Sequence, residues 1–138
     1  MNFTFHYLLM ANHIMLQKQL FNNIKDLKLT LGQPKVLDYL RQNDGAMQKD
    51  IAQGCHIEAA SLSTILNGME KNGLITRNID KYNRRNINIF MTEKGKEICK
   101  RIEQEFITIE KKAFYNFSEK EIQKLTEYMI KIYNNLEE

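Results

Sequence analysis

The apolar residues of this 138-residue chain repeat every three to four positions almost throughout, and over one short central stretch they repeat every two. That single change of period constrains the fold more than any other feature, because a three-to-four spacing lines one face of a helix and strict alternation lines one face of a strand. Ile87, Ile89 and Met91 alternate with Asn86, Asn88 and Phe90, and Leu74 to Ile79 forms a second apolar run before them. The polar, basic segment Asp80-Lys81-Tyr82-Asn83-Arg84-Arg85 lies between the two. The pattern predicts a lone β-hairpin with a charged tip, set among helices.

The helices can be placed from their stripes and their ends. Phe5, Leu9, Asn12, Leu16, Leu20, Ile24 and Leu27 predict a long first helix running through Leu27. Thr30-x-x-Gln33 is a capping-box spacing with Pro34 in the first turn, so a second helix is expected from about Leu31, carrying Val36, Leu37 and Leu40. Asn43-Asp44-Gly45 breaks it. A short third helix is expected over Gln48 to Gly54, and a fourth over Ala59 to Asn72 with Leu62, Ile65, Leu66 and Met69 facing inward and Gly73 ending it. After the hairpin, Thr92 is the expected N-cap of a fifth helix bearing Ile98, Ile102, Phe106, Ile109 and Ala113. Ser118-x-x-Glu121 caps a sixth, bearing Ile122, Leu125, Met129, Ile132 and Leu136.

Length and composition fit one soluble domain with a single core: 43% of residues are hydrophobic and 27% charged. The apolar start of the chain lacks a basic leader and runs into the first helix, and no stretch approaches the roughly 20 apolar residues that span a bilayer, so a cytoplasmic protein is expected. Cys55 and Cys99 form no CxxC pair and are expected as free thiols, and the histidines His6, His13 and His56 have no metal-ligand spacing. No phosphate loop, HExxH, GxSxG or paired-carboxylate constellation is present, so neither catalysis nor a cofactor is expected.

Charge is distributed unevenly. From Lys71 to Arg101 the chain carries an excess of six positive charges, whereas from Ile102 onward glutamates outnumber lysines. Two short helices joined by a tight turn and followed by a basic hairpin have the order of a winged helix-turn-helix, whose second helix fits the major groove of duplex DNA. With Leu62, Ile65, Leu66 and Met69 in the core, Ala60, Ser61, Ser63, Thr64, Asn67 and Gly68 are left toward solvent or DNA. Candidate DNA-binding residues are therefore Gln48 and Lys49 on the third helix, Ala60, Ser61, Ser63, Thr64 and Asn67 on the fourth, and Arg77, Lys81, Arg84 and Arg85 on the hairpin. The two tip arginines suit phosphates or a narrow minor groove.

The runs Ile51-Ala52-Gln53-Gly54-Cys55-His56-Ile57, Met69-Glu70-Lys71-Asn72-Gly73-Leu74-Ile75-Thr76-Arg77 and Met91-Thr92-Glu93-Lys94-Gly95, with Leu29-Thr30-x-x-Gln33 before them, resemble the MarR family of bacterial transcription regulators. The resemblance implies a mainly α fold with a small β-hairpin wing. Residues 30–92 would form the winged helix-turn-helix lobe of a single domain spanning 1–138, with 1–29 and 93–138 as dimerisation helices. It implies a homodimer reading a pseudo-palindromic operator as a sequence-specific regulator, a repressor released by an aromatic or amphipathic small-molecule effector. His6, His13 and Tyr39, with Tyr7, are the candidate effector-binding residues. The family's wing commonly reads Asp-x-Arg. Here Asn83-Arg84-Arg85 stands in its place, so Arg85 matches while Asp80 is expected to act as the orienting acid. Glu58 occupies the usual Ser or Thr cap of the fourth helix, and Thr64 and Gly68 stand where relatives often carry arginine. Two alternatives stay open: a winged helix that binds protein with little DNA affinity, and a redox-responsive regulator using Cys55 or Cys99.

Overall fold

The structure, a computed structural model, describes residues 2–137. Its elements follow in the order α1 (Phe5–Asn23), a 3-10 turn (Lys25–Leu27), α2 (Gln33–Asn43), α3 (Gln48–Cys55), α4 (Ala59–Lys71), β1 (Ile75–Ile79), β2 (Ile87–Met91), α5 (Glu93–Ala113) and α6 (Glu119–Leu136). The chain is mainly α with a two-stranded antiparallel wing, as the change of period predicts. It forms two compact units, one ending at Phe106 and one beginning at Ile107, with α5 contributing to both.

In the first unit, α2, α3, α4, the hairpin and the start of α5 enclose one core. Val36, Leu37, Leu40, Ile51, Leu62, Leu66, Met69, Leu74, Ile75, Ile89 and Ile102 are all buried in it. Every one of the four elements α2, α3, α4 and β2 supplies at least one fully enclosed side chain, so truncating Leu62 or Leu66 to alanine would cost about 2–5 kcal/mol. α4 ends at its C-cap Asn72, and Gly73 takes the left-handed conformation, φ 74°, that a β-carbon would disfavour. The hairpin keeps strict register, Ile75 opposite Met91 and Ile79 opposite Ile87. Beyond β2 the α2–α3 loop lies alongside: Gly45 N–H donates to the Ile89 carbonyl (2.8 Å), Ile89 N–H to the Ala46 carbonyl (3.0 Å), and Met47 bridges Asn88. Asn88 Nδ2 to the Gly45 carbonyl (2.8 Å) and Met91 N–H to Asp44 Oδ1 (2.8 Å) tie the same loop to the strand.

Thr92 acts as the cap of α5: Gly95 N–H donates to its Oγ1 (3.0 Å) and Lys96 N–H to its carbonyl (2.9 Å). Its hydroxyl in turn donates to the Gly73 carbonyl (2.6 Å), joining the end of α4 to the start of α5.

Two helix boundaries differ from expectation. α1 stops at Asn23 rather than running through Leu27, because Arg101 of α5 takes its end. One guanidinium nitrogen donates to the Asn23 carbonyl (3.0 Å), and the group forms a bidentate pair with the Asp26 carboxylate (2.8 and 3.0 Å). Residues 25–27 then tighten into the 3-10 turn and Lys28 closes it in the left-handed region. α2 begins at Gln33 with Gly32 as its cap, not near Leu31. The return half of the expected capping box does form, the Thr30 N–H donating to Gln33 Oε1 (3.2 Å), and the Gln33 side chain is buried. Within α1 only Leu20 is buried, while Phe5, Leu8, Leu9, Met10, Ile14 and Met15 are exposed. The anticipated single stripe is therefore covered only at its C-terminal end.

The second unit holds the end of α5 and α6. Ser118 and Glu121 make both halves of the expected capping box: Glu121 N–H donates to Ser118 Oγ (3.1 Å) and Ser118 N–H to Glu121 Oε1 (2.9 Å). Asn116 makes the turn at φ 64°, and Phe114 meets Phe117 edge to face. α6 buries no residue, and Leu125, Tyr128, Met129, Ile130, Tyr133 and Leu136 are exposed along it.

Candidate nucleic-acid interface

The side chains singled out on α3, α4 and the hairpin all fall within the first unit. α4 turns Leu62, Leu66 and Met69 inward, which leaves Ala60, Ser61, Thr64 and Asn67 exposed and Ser63 half-buried. Gly68 departs from the expected outward set. A β-carbon there would sit 3.2 Å from Gln33 Nε2, so Gly68 faces the start of α2. Any side chain at that position would require the Gln33 amide to give by a few tenths of an ångström.

Polar bonds fix α4 on both sides. Gln48, the first residue of α3, donates from Nε2 to Ser63 Oγ (3.0 Å), which orients the two helices of the motif. From β1, Arg77 Nη1 donates to Asn67 Oδ1 (2.8 Å) and Nη2 to the Ser63 carbonyl (3.3 Å), while its Nε is buried without a partner among the described residues. Thr64 Oγ1 donates to the Ala60 carbonyl (3.4 Å). Lys49 is exposed at the start of α3. Sequence spacing gave no sign of the Arg77–Asn67 bond, because its partners stand on a helix and a strand separated by the turn at Gly73.

The wing is shaped by its own short polar side chains. Asp80 Oδ1 accepts from Tyr82 N–H (2.8 Å) and Asn83 Oδ1 from Arg85 N–H (3.1 Å), two successive Asx turns. Backbone bonds from Asn86 to the Asn83 carbonyl and from Asp80 to the Asn86 carbonyl, both 2.9 Å, close the tip. The expected role of Asp80 as the acid orienting Arg85 is therefore corrected: its carboxylate serves the Tyr82 amide, and among the described residues no acid pairs with Arg84 or Arg85. Lys81, Arg84 and Arg85 stand exposed, with the Lys81 ammonium 5.7 Å from the centre of the Tyr82 ring. Three cations on one loop, none with a carboxylate partner among the described residues, can each meet a phosphate without first breaking an ion pair.

A cavity of about 630 Å³ opens between α1, α2 and α4, with His13, Phe21, Leu31, Pro34, Ile65 and Phe106 among its mostly apolar walls and Lys18, Lys35 and Asp38 also lining it. His13 is thus placed in it. His6 is exposed near the start of α1, and Tyr39 lies against Gly54 of α3; neither lines this cavity, and Tyr7 stacks on Phe3 instead. The thiols are enclosed. Cys55 Sγ faces the Lys35 carbonyl (3.8 Å) and Cys99 Sγ the Leu37 carbonyl (3.3 Å), and burial pushes both above the ordinary thiol range. Among the described residues no three His, Cys, Asp or Glu side chains converge as a metal site would require, and no helix is long and apolar enough to cross a membrane.

The sequence profile of the MarR family matches residues 29–87, the segment from the approach to α2 through the wing. The HTH-type transcriptional regulator YybA of Bacillus subtilis (strain 168), itself uncharacterized, is 26% identical over 113 residues, covering 82% of this chain and 75% of its own. Among solved structures, S. aureus MepR in a DNA complex is 29% identical with a TM-score of 0.86, over 99% of this chain and 100% of that one. A MarR-family regulator from Listeria monocytogenes, complexed with 26mer DNA, is 28% identical with a TM-score of 0.89, over 99% and 90%. With the profile on its central lobe and likeness over nearly its whole length to regulators solved with DNA, the chain is similar in sequence and fold to the MarR family of transcriptional regulators.

Proposed function

We propose that the chain is a DNA-binding transcriptional regulator that reads a pseudo-palindromic operator as a homodimer and acts in the cytoplasm as a repressor released by a small molecule. The observation that carries the DNA reading is the wing itself: Lys81, Arg84 and Arg85 are exposed with no acidic partner among the described residues, and β1 of the same hairpin is bonded through Arg77 to the helix whose outer face would enter the groove. Two relatives of the same fold were solved with DNA. Wing cations supply affinity through phosphates, and Ser61, Thr64 and Asn67 supply selectivity at base edges.

Apolar surface supports the homodimer. α1 exposes Phe5, Leu9, Met10, Ile14 and Met15, and α6 exposes Leu125, Tyr128, Met129 and Tyr133, more than a monomer in water ordinarily leaves open. A second copy with twofold symmetry would cover both sets and offer two α4 helices to successive major grooves, roughly 34 Å apart. The cavity beside α1 has the volume and apolar lining of a small-ligand site, and its lysines suit an amphipathic or aromatic acid. A ligand there would touch α1, α2 and Ile65 of α4 together, coupling its binding to the placement of the reading helix.

Selection of bound sequences from random duplexes tests the reading. A two-half-site motif is expected, with an affinity that falls linearly on a log–log plot against salt by about 0.9 per phosphate neutralised. Equal recovery of all sequences, or affinity indifferent to salt, would favour the protein-binding alternative, to which the uncharged outer face of α4 lends its best support.

A further inference from the structure

We propose that Arg77 is a positioning residue that fixes the hydrogen-bond polarity of Asn67, so that α4 reads an acceptor edge, guanine in preference to adenine, at one base pair of each half-site. The inference rests on the proposed DNA reading and adds to it a residue that sets specificity without touching DNA.

The chemistry is one-sided. A guanidinium has five N–H donors and no acceptor, so whatever faces Arg77 Nη1 at 2.8 Å must be the amide oxygen of Asn67 and not its nitrogen. The charge makes this bond stronger than a neutral one. Asn67 is exposed, and with its oxygen turned back toward β1 its Nδ2 group, carrying two donors, is left for the groove. Asparagine ordinarily selects adenine with both atoms at once, the oxygen accepting from N6 and the nitrogen donating to N7. Holding the oxygen aside removes the first half of that pair. Guanine offers two neighbouring acceptors, O6 and N7, and satisfies a donor-only side chain fully, whereas adenine offers N7 beside a donor that would oppose the amide.

Arg77 is committed to this placement. Both terminal nitrogens are engaged inward, one on Asn67 and one on the Ser63 carbonyl, and Nε is buried with no partner among the described residues. With two donors bonded to α4 and Nε enclosed, a phosphate could be met only by the second N–H of each terminal nitrogen, so Arg77 is less free than Arg84 and Arg85, whose side chains face solvent. Ser63 is held from the other side by Gln48, which keeps the helix turn bearing Asn67 from rotating away.

The test is sequence selection from random duplexes, followed by competition between duplexes differing at one base pair, for wild type, Arg77→Met, Arg77→Lys, Asn67→Ala and Asn67→Asp. Wild type is expected to prefer guanine over adenine, by about tenfold or more, at the one position that Asn67→Ala renders indifferent. Arg77→Met should erase that preference there and leave the other positions, and the salt dependence, unchanged; Arg77→Lys, which still donates to the amide oxygen, should retain most of it. Asn67→Asp keeps the tie to Arg77 but presents an acceptor, and should lose guanine. A general loss of affinity with base preferences intact in Arg77→Met would mark a merely structural arginine and overturn the proposal, as would adenine at the Asn67-dependent position in wild type. Should Arg77→Met melt, Arg77→Lys and Asn67→Asp decide the same question. If wild type selects no sequence at all, the DNA reading itself fails, a result distinct from an unchanged motif in the variants.

Discussion

Replacing Gly95 with alanine is expected to be among the most damaging single changes in the first unit. Gly95 is buried in the first turn of α5, and a β-carbon built on it would fall well inside contact distance of the Leu74 carbonyl oxygen, with the Leu74 carbonyl carbon only 3.1 Å away. Both parties are backbone, so no side chain can rotate to make room. Leu74 is itself pinned: its N–H donates to the Met69 carbonyl (2.9 Å), its carbonyl accepts from Thr92 (3.0 Å), and it is buried. Reaching ordinary van der Waals separation requires the helix start to lift by roughly 1 Å or more. Strain of that kind costs about 1–3 kcal/mol, and lifting the turn breaks the Thr92 bonds to Leu74 and Gly73, each worth a net of about 1 kcal/mol. Together these destabilise the fold by about 3–5 kcal/mol, against a total of about 5–15 kcal/mol for a typical domain. In a urea titration at fixed protomer concentration the midpoint should fall by about 1–3 M with an unchanged slope. Gly73→Ala is the control, because Gly73 has a positive φ of 74° but no atom within 4 Å of the added carbon; it should lose only the smaller cost of the left-handed conformation. A Gly95→Ala midpoint equal to or above that of Gly73→Ala would refute the steric reasoning.

Arg85→Ala should weaken binding to all duplexes alike and reduce the steepness of the salt dependence by about one phosphate per protomer; unchanged affinity in a filter or anisotropy titration would remove the wing from the interface. The Arg101 hydrogen bond holds the Asp26 carboxyl below its ordinary value of 3.8. A depressed folded-state value means that the pair stabilises the fold fully above that ordinary value and is lost as pH falls through the folded one. Arg101→Met should therefore flatten the decline of the urea midpoint on acidification below about pH 4, and an identical acid profile for the variant would exclude the linkage. Burial raises both thiols, so Cys55 and Cys99 should resist iodoacetamide at neutral pH in the folded protein and react only in urea; rapid alkylation of either in the native state would revive redox sensing.

What could be read from the sequence was whatever depends on neighbours in the chain. Ser118-x-x-Glu121, Thr92 before α5, and the alternation through Ile87, Ile89 and Met91 are local patterns, and each appears where its spacing puts it. What could not be read depends on partners brought together by packing. α1 was expected to continue through Leu27 on its stripe alone, but its end is set by Arg101, 75 residues from Asp26. Asp80 looked available to Arg85, yet an Asx turn two residues away claims its carboxylate first. Gly68 has the phase of an outward position on α4 and still meets Gln33, because the start of α2 crosses close by. Of the four side chains expected around an effector, His13 lies on the cavity, whereas His6, Tyr7 and Tyr39 do not line it, as helical phase without knowledge of the α1–α2 crossing cannot reveal.

The loop at Gly45 to Met47 has a consequence for solubility as well as for architecture. A two-stranded hairpin standing alone has two rows of unpaired amides and carbonyls, each able to recruit another extended chain. Here the bonds from Gly45, Ala46, Asn88 and Asp44 occupy the free side of β2, so only β1 keeps an open flank. That flank is five residues long and is followed at once by the exposed Lys81. Short length and positive charge are the usual protections of such an edge, so the wing can project toward a partner without serving as a template for edge-to-edge polymerisation.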